Sequence, residues 1–129
     1  MKILVVDDMT SMRHVMIGML RKLGYEDIDE ATDGLRALQL LSNKNYDLVI
    51  SDLNMPHVDG LGLLNEIRSR PKLKHLKLVM VTCENGRERV QQVLLHKVDG
   101  FIIKPFCLAT LEKQLKRITT FTKQPNLSN

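Results

Sequence analysis

Five polar residues that could bind a metal or an anion each follow a short apolar run of the sequence. Carboxylates that converge in a crevice repel one another and raise each other's pKa values. A hard divalent cation removes that conflict, and oxygen ligands with spare positions for water and phosphate suit Mg²⁺ better than zinc or copper. One carboxylate could then attack phosphorus while a lysine and a hydroxyl bind the phosphoryl oxygens. The five residues are Asp7, Asp8, Asp52, Thr82 and Lys104.

Each of these residues also has a structural interpretation when it is considered alone. Aspartate at the end of a strand often forms a turn or caps the next helix, and a threonine there can satisfy backbone groups. The functional interpretation gains weight because the five residues follow four different apolar runs. The carboxyl ends of parallel strands meet at one edge of a sheet, where open α/β folds bind their ligands. We therefore expect one site rather than five separate features.

The elements that must position these side chains follow from the spacing of apolar residues. Short runs rich in β-branched residues alternate with stretches whose apolar residues recur three and four positions apart, which indicates alternating strands and helices. This pattern predicts a single doubly wound α/β sandwich with a parallel sheet. Strands are predicted over 3–6, 27–31, 47–51, 78–81 and 101–103, and helices are marked by apolar residues within 12–23, 34–42, 63–67, 90–94 and 108–118.

Composition places the chain among ordinary globular proteins. Its 129 residues suit one domain, with 43% hydrophobic and 26% charged residues. The absence of tryptophan argues against binding of single-stranded nucleic acid, and the apolar runs are too short to span a membrane. We expect a cytoplasmic protein without a signal peptide, in which Cys83 and Cys107 are free thiols. The net charge is +4, and the basic stretches Lys72–Lys77 and Lys113–Arg117 are interpreted as solvated surface.

With these residues placed, the sequence resembles response-regulator receiver domains over residues 1–118. The resemblance implies a flavodoxin-like (βα)5 fold with strand order 2-1-3-4-5 and a cis Lys104–Pro105 bond, while residues 119–129 are expected to form a flexible tail. Within the family, the chemotaxis members are most similar. The motifs are Leu4–Asp8, Ile50–Pro56, Val58–Leu61, Met80–Thr82 with Glu84, Lys104–Phe106 and Ala109–Glu112.

The resemblance also implies a role for each acidic residue. Asp52 would be the phosphoacceptor. Asp8, Asp52 and the backbone carbonyl of Asn54 would bind Mg²⁺ directly, and Asp7 would act through water. Asn54, together with Glu84, would tune the rate of dephosphorylation.

The remaining roles concern the phosphoryl group and the response to it. Thr82 and Lys104 would bind the phosphoryl oxygens. On phosphorylation, Thr82 would move towards the phosphoryl group and let the aromatic switch residue Phe101 turn inward. Phosphorylation would thereby bias an existing equilibrium between two conformations.

The resemblance implies a monomeric signalling protein that catalyses only its own phosphorylation and dephosphorylation. Its phosphodonor would be a CheA-like histidine kinase, and a flagellar switch protein and a phosphatase would be further partners in chemotaxis. Two alternatives stay open at this point. One is a phosphorelay shuttle, and the other is a phosphatase of the haloacid-dehalogenase type, although that class has an Asp-x-Asp pattern whereas this chain has adjacent Asp7-Asp8. A dinucleotide site is not expected, since no Gly-x-Gly-x-x-Gly follows the first strand.

Three departures from the family pattern bear on function. Cys83 stands where Ala or Gly is usual, and it either restricts access to the phosphoryl group or is a small buried hydrophobe. Phe101 lacks the hydroxyl of the tyrosine usual in chemotaxis members. His96-Lys97-Val98 replaces Ala-Gly-Ala and makes the expected output face basic, which favours an acidic or mixed-charge partner peptide. The other basic residues of that face are Arg87, Arg89, Lys113, Lys116 and Arg117.

Two histidines lie near the expected site or its approach. His57 follows Asp52 in the same loop, and His14 stands beside Arg13 on the side of the first helix that we predict to be polar. Both are interpreted as exposed residues without a role in the chemistry.

Overall fold

The strands form one parallel sheet in the order β2-β1-β3-β4-β5, which confirms the predicted doubly wound topology. The computed structural model describes residues 1–83, 91 and 98–127, with side chains described as far as Thr119. The three central strands are short runs of mostly buried residues, as expected for a parallel sheet covered by helices on both faces, whereas the edge strand Ile28–Ala31 is only partly buried. The strands are β1 (Ile3–Val6), β2 (Ile28–Ala31), β3 (Leu48–Asp52), β4 (Lys77–Thr82) and β5 (Gly100–Ile103).

Four helices are described, and their beginnings follow from local sequence. Asp33 and Asp59 cap the second and third helices, because their carboxylates accept hydrogen bonds from Arg36 N and Gly62 N at 2.8 Å. Gly24 follows the first helix with a positive φ of 96°, which suits glycine. The helices are α1 (Thr10–Lys22), α2 (Gly34–Asn43), α3 (Gly60–Ser69) and α4 (Leu108–Leu127).

Two predictions concern the last two helices of the chain. The helix predicted around 90–94 lies outside the described residues. Helix α4 continues from the predicted end near Ile118 to Leu127, so part of the expected tail is helical. The flexibility of residues 119–129 stays a prediction.

The core has two layers because successive strand residues point to opposite faces of the sheet. Leu4, Val49 and Met80 face α2 and α3, whereas Val5 and Ile50 belong to the layer beneath α1 and α4. The two layers enclose the central strands between helices, whereas Glu30 on the edge strand β2 and Ile103 on the edge strand β5 are exposed. Among the described residues, no helix has the length and apolar content needed to cross a membrane.

Two helices bury only part of the set of apolar residues that marks them within 12–23 and 34–42. Val15 and Leu35 belong to these sets and are 48% and 50% exposed, whereas Met16 and Leu38 are buried. In α1 the buried positions are Arg13, Met16, Ile17 and Leu20, a regular i, i+3, i+4, i+7 stripe that contains a charged residue.

Candidate functional site

The carboxyl edge of the sheet brings together the three acidic residues selected from the sequence. One carboxylate oxygen from each of Asp7, Asp8 and Asp52 lies within 4.8 Å of the others. Parallel pairing of β1 with β3 explains this, since Val6 pairs with Ser51 and the next residues are Asp7 and Asp52. Asp7 and Asp52 are largely buried at the side chain, whereas Asp8 is exposed. The cluster is therefore anchored on two central strands and open to solvent on one side.

Lys104 supplies a positive charge to this cluster from the end of β5. Its Nζ lies 3.4 Å from Asp7 Oδ2 and 3.5 Å from Asp52 Oδ1. The backbone N–H of Lys104 donates to the Thr82 carbonyl oxygen at 2.8 Å, and the Lys104–Pro105 bond is cis as the resemblance implied. With one ammonium facing three carboxylates, the site retains an excess of negative charge.

The pKa of Asp52 is set by burial and by the charges of its two neighbours in the site. Burial is the largest cause, and it raises the pKa of Asp52 above its ordinary value of 3.8. The ammonium of Lys104 opposes the shift, and the Asp7 carboxylate adds to it. A cation placed among the three carboxylates would relieve the repulsion. Their oxygen-only donor set suits Mg²⁺, so the residues present fit the ion that the family implies.

Thr82 ends β4 next to the acidic cluster. It follows Val81, the register partner of Asp52, and it is fully buried. Asn54 lies two residues beyond Asp52, in the loop after β3, and is exposed. Phe101 lies on β5, pairs in register with Met80, and packs partly buried against the core layer beneath α2 and α3. Glu84, with a predicted role in dephosphorylation, lies outside the described residues.

Three smaller predictions have different outcomes. Cys83 is exposed, so the interpretation as a small buried hydrophobe was wrong, and its position directly after Thr82 places it at the rim of the site. His14 and His57 are exposed, as predicted. His57 has a positive φ of 67° in the loop between β3 and α3. Cys107 is also an exposed free thiol.

Arg13 is the residue at the site that sequence reasoning placed wrongly, since we expected it on the polar side of its helix. It is only 7% exposed. Its Nη1 donates to the backbone carbonyl oxygen of Asp7 at 2.9 Å, and its Nε donates to Glu30 Oε1 at 2.5 Å. The signal that could have identified it is its spacing from Met16, Ile17 and Leu20 along one face of α1.

The recess beside Asp52 is small. It offers about 20 Å³ and is lined by Asp7, Asp52, Lys104, Met12 and Phe106 among others. This is space on the scale of one water molecule or a small ion. The arrangement can hold a cation and receive a small group at its open side, whereas it does not enclose an organic substrate.

Two chemotaxis proteins are similar in sequence to this chain over most of its length. Chemotaxis protein CheY-3 of Vibrio cholerae is 44% identical over 118 residues, which cover 92% of this chain and 91% of the relative. Chemotaxis protein CheY of Pseudomonas aeruginosa is 39% identical over 118 residues, covering 92% of this chain and 95% of the relative.

Structural comparison agrees with these matches. The response regulator protein TrrA of Thermotoga maritima, solved in complex with Mg²⁺ and BeF, superposes with a TM-score of 0.80 and 36% identity, covering 91% of this chain and 98% of that one. Residues 3–116 match the response regulator receiver domain family. From this match, the sequence identities and the acidic site at the carboxyl edge of the sheet, the chain belongs to the response-regulator receiver domains.

Proposed function

We propose that this receiver domain is a single-domain response regulator of chemotaxis that accepts a phosphoryl group on Asp52. The observation that carries the proposal is the convergence of Asp7, Asp8 and Asp52 with Lys104 at the ends of three strands. A lone structural aspartate would not need two further carboxylates and an ammonium beside it. The resemblance to chemotaxis relatives of nearly the same length supports the pathway.

In the proposed reaction, a carboxylate oxygen of Asp52 attacks the phosphorus of a phosphohistidine in a histidine kinase. The P–N bond breaks, the imidazole leaves with the electron pair and takes up a proton, and an acyl phosphate forms on Asp52. Lys104 binds a phosphoryl oxygen as a second positive charge, and the Thr82 hydroxyl donates a hydrogen bond to another. Asp8, Asp52 and the Asn54 carbonyl would hold Mg²⁺, with Asp7 acting through water, and the ion would neutralise charge on the phosphoryl oxygens.

The protein is then its own substrate, and it catalyses only the gain and loss of its own phosphoryl group. The small volume of the recess supports this, because a phosphatase for organic esters needs room for the ester. Steady turnover of a phosphate ester such as p-nitrophenyl phosphate would contradict the proposal.

The response to phosphorylation is proposed to run through Thr82 and Phe101. Movement of the buried Thr82 towards the phosphoryl group would leave room beside β4, and Phe101 on the neighbouring strand would turn inward. The altered surface would bind a flagellar switch protein or a phosphatase. Lys113 is exposed on α4 and supports an acidic or mixed-charge partner, whereas Arg87, Arg89, His96 and Lys97 lie outside the described residues.

The decisive experiment is incubation with acetyl phosphate and Mg²⁺, followed by intact-protein mass spectrometry. The wild-type protein should gain one phosphoryl group, and Asp52→Asn should gain none. Asp27→Asn, at an exposed carboxylate of the opposite edge, is the matched control and should be phosphorylated like the wild type. Equal labelling of Asp52→Asn would reject the site.

Two further measurements separate the signalling roles. Phosphorylation-dependent binding to a flagellar switch peptide would support control of the motor. Transfer of the phosphoryl group from Asp52 to a purified histidine phosphotransfer protein, without such binding, would instead support a phosphorelay shuttle.

A further inference from the structure

A second recess lies at the amino-terminal edge of the sheet, opposite the acidic site. It is an open groove of about 480 Å³ between the segment that joins α2 to β3 and the segment that joins α3 to β4. We call it the amino-end groove, and its lining includes Lys44, Tyr46, Leu73, Leu76 and Lys77. None of these residues takes part in the phosphoryl chemistry proposed for Asp52, so the groove needs a separate explanation.

The floor of the groove is apolar and firmly attached to the core. Leu76 is 8% exposed and belongs to the core layer beneath α2 and α3. Tyr46 and Leu73 are partly buried and pack against the same layer. A floor that is held this way presents a fixed apolar surface on which a partner side chain could be seated.

The rim of the groove carries an excess of positive charge. Lys44 lies 3.4 Å from Asp29, and Lys77 lies 3.9 Å from Asp99. Lys72 and His75 are exposed, and neither has a hydrogen bond or ion pair with another residue in the described part of the chain.

Asp47 is the carboxylate among the lining residues, and its Oδ2 accepts a hydrogen bond from the backbone N–H of Lys2 at 2.7 Å. The lining thus carries the lysines Lys44, Lys72 and Lys77 against this one carboxylate. Since Lys44 and Lys77 have ion pairs, Lys72 is the lysine of the lining that is available to an anionic partner.

The basic surface continues beyond this groove. An adjoining depression of about 580 Å³ shares His75, Leu76 and Lys77 with it and adds Lys74, Arg68 and Asp99. Arg68 and Asp99 form an ion pair at 2.8 Å, so Lys74 is the cation that this depression adds. Lys74 is exposed and is likewise without a hydrogen bond from its side chain or an ion pair among the described residues. Because the two recesses are continuous, the surface fits an extended segment better than a single small anion.

The groove is poorly suited to nucleic acid, which is the other common partner of a basic surface. The aromatic rings among its lining residues are those of Tyr46 and His75. The hydroxyl of Tyr46 donates to Asp29 Oδ2 at 2.6 Å, and Lys2 Nζ lies 5.7 Å from the centre of the ring, so this ring is already engaged rather than free to stack on a base. The cations of the groove are lysines, which act as point charges, rather than arginines, whose planar guanidinium binds a phosphate through two parallel hydrogen bonds.

We propose that the amino-end groove docks an acidic, extended segment of a partner protein. An apolar side chain of that segment would rest on Leu73 and Leu76, and flanking carboxylates would face Lys72 and Lys74. The site lies at the opposite end of the strands from Asp52, so docking does not depend on phosphorylation. It would keep a partner bound in both states of the receiver.

The test is fluorescence anisotropy of a fluorescein-labelled peptide in which glutamates flank one phenylalanine, with unphosphorylated protein at low salt. We expect Lys72→Glu to raise the dissociation constant by roughly three- to tenfold, as expected for reversal of a surface charge at a binding site. Lys22→Glu makes the same change in net charge at an exposed lysine in the last turn of α1, outside the groove, and should alter the dissociation constant less than about twofold. Replacement of the phenylalanine of the peptide by alanine should also weaken binding, because the floor is apolar.

Several results would overturn the docking proposal. Equal weakening by Lys22→Glu and Lys72→Glu would mean that the peptide binds another face or follows net charge alone. Unchanged binding by both Lys72→Glu and Lys74→Glu would remove the groove from the interface. Tighter binding of a single-stranded oligonucleotide that is lost in Lys72→Glu would make the partner a nucleic acid.

Phosphorylation by acetyl phosphate keeps this test separate from the function proposed for Asp52. Lys72→Glu should be phosphorylated like the wild type, which shows that the variant is folded while its peptide binding is weakened. If Lys72→Glu is not phosphorylated, Lys74→Glu serves as the folded variant and must weaken peptide binding for the docking site to stand. The Asp52→Asn variant should bind the peptide like the wild type, and loss of binding in that variant would contradict a phosphorylation-independent site.

Discussion

Arg13 and Asp7 are joined by a hydrogen bond of 2.9 Å from a buried guanidinium to the backbone carbonyl oxygen of the aspartate. The same guanidinium contacts Glu30 at 2.5 Å, so it ties the turn after β1 to the edge strand β2. That turn carries Asp7 and Asp8. The position of two of the three site carboxylates therefore depends on a side chain that does not itself belong to the acidic cluster.

Replacement of Arg13 by methionine should weaken both the fold and the site. The Asp7 carbonyl would lose its donor and Glu30 its cation, and we expect a loss of about 1–3 kcal/mol in the free energy of unfolding. Mg²⁺ binding, followed by backbone amide shifts in NMR, should also weaken because the turn is less fixed. Arg21→Met, the same substitution at an exposed arginine in the last turn of α1, is the control and should change both quantities much less. Unchanged Mg²⁺ affinity in Arg13→Met would restrict Arg13 to a structural role.

Asp52→Asn should stabilise the protein in the absence of Mg²⁺. Burial raises the folded-state pKa of Asp52, so its contribution to stability is full below the unfolded value of 3.8 and is lost as the pH rises through the raised pKa. The increase in the free energy of unfolding that Asp52→Asn causes is therefore largest at neutral pH, and it becomes smaller as the pH falls towards 3.8. Urea denaturation in EDTA across this range would measure it, and a gain that grew on acidification would contradict burial as the cause of the raised pKa.

In the presence of Mg²⁺, the wild-type protein should become more stable than Asp52→Asn. An ion that binds only the folded state adds about 2.7 kcal/mol when present at about 100 times its dissociation constant. The wild-type protein should show this increase in thermal denaturation, and Asp8→Asn should show much less of it. Ca²⁺, which is larger and needs more ligands, should give a smaller shift at the same concentration. An equal shift in Asp8→Asn would mean that the ion binds elsewhere.

Gly60→Ala should be strongly destabilising because Gly60 packs directly beneath the phosphoacceptor. A Cβ at Gly60 would overlap the backbone oxygen of Asp52 and lie 2.7 Å from Met80 Sδ. We expect a cost of about 2–4 kcal/mol in the free energy of unfolding and slower phosphorylation of Asp52. Gly18→Ala is the matched control in α1, where a Cβ meets nothing within 4 Å, and it should stabilise by about 0.5–1 kcal/mol. Equal effects of the two substitutions would contradict the packing argument.

Tyr46→Phe should reveal a pH-dependent contribution far from the phosphoryl site. The hydrogen bond from Tyr46 lowers the pKa of Asp29 below its ordinary value of 3.8, while burial, followed by the bond to Asp29, raises the pKa of Tyr46 above 10.0. The contribution of Asp29 is present above pH 3.8 and is lost as the pH falls through its lowered pKa. That of Tyr46 is present below pH 10.0 and is lost as the pH rises through its raised pKa.

The wild-type protein should therefore exceed Tyr46→Phe in stability by a constant amount, about 1–2 kcal/mol, between these limits, and the difference should shrink outside them. Urea denaturation at several pH values would test this. Phenylalanine keeps the ring beneath Lys2, so the comparison isolates the hydroxyl. A difference that did not change with pH would contradict the pairing with Asp29.

Most of the fold and the acidic site could be predicted because they depend on local patterns. Short β-branched runs give the strands, and the residue after each run falls at one edge once the strands are parallel. Strand order came from resemblance, since periodicity carries no information about which strands pair. The inward face of α1 could not be predicted from apolar residues alone, because Arg13 is stabilised there by Asp7 and Glu30, which are distant from each other in sequence. Val15 and Leu35 are exposed for the related reason that the packing angle of a helix decides which part of its apolar stripe reaches the core.

The length of the strands determines how far apart the charged residues at the two ends of the sheet lie. Strands of four to six residues separate the edges by roughly 13–20 Å. Charges in solvent are screened over about 8 Å at physiological ionic strength. The Coulomb interaction between the lysines of the amino-end groove and the carboxylates around Asp52 is therefore weak. A substitution that changes the charge of the amino-end groove should therefore leave the pKa of Asp52 nearly unchanged.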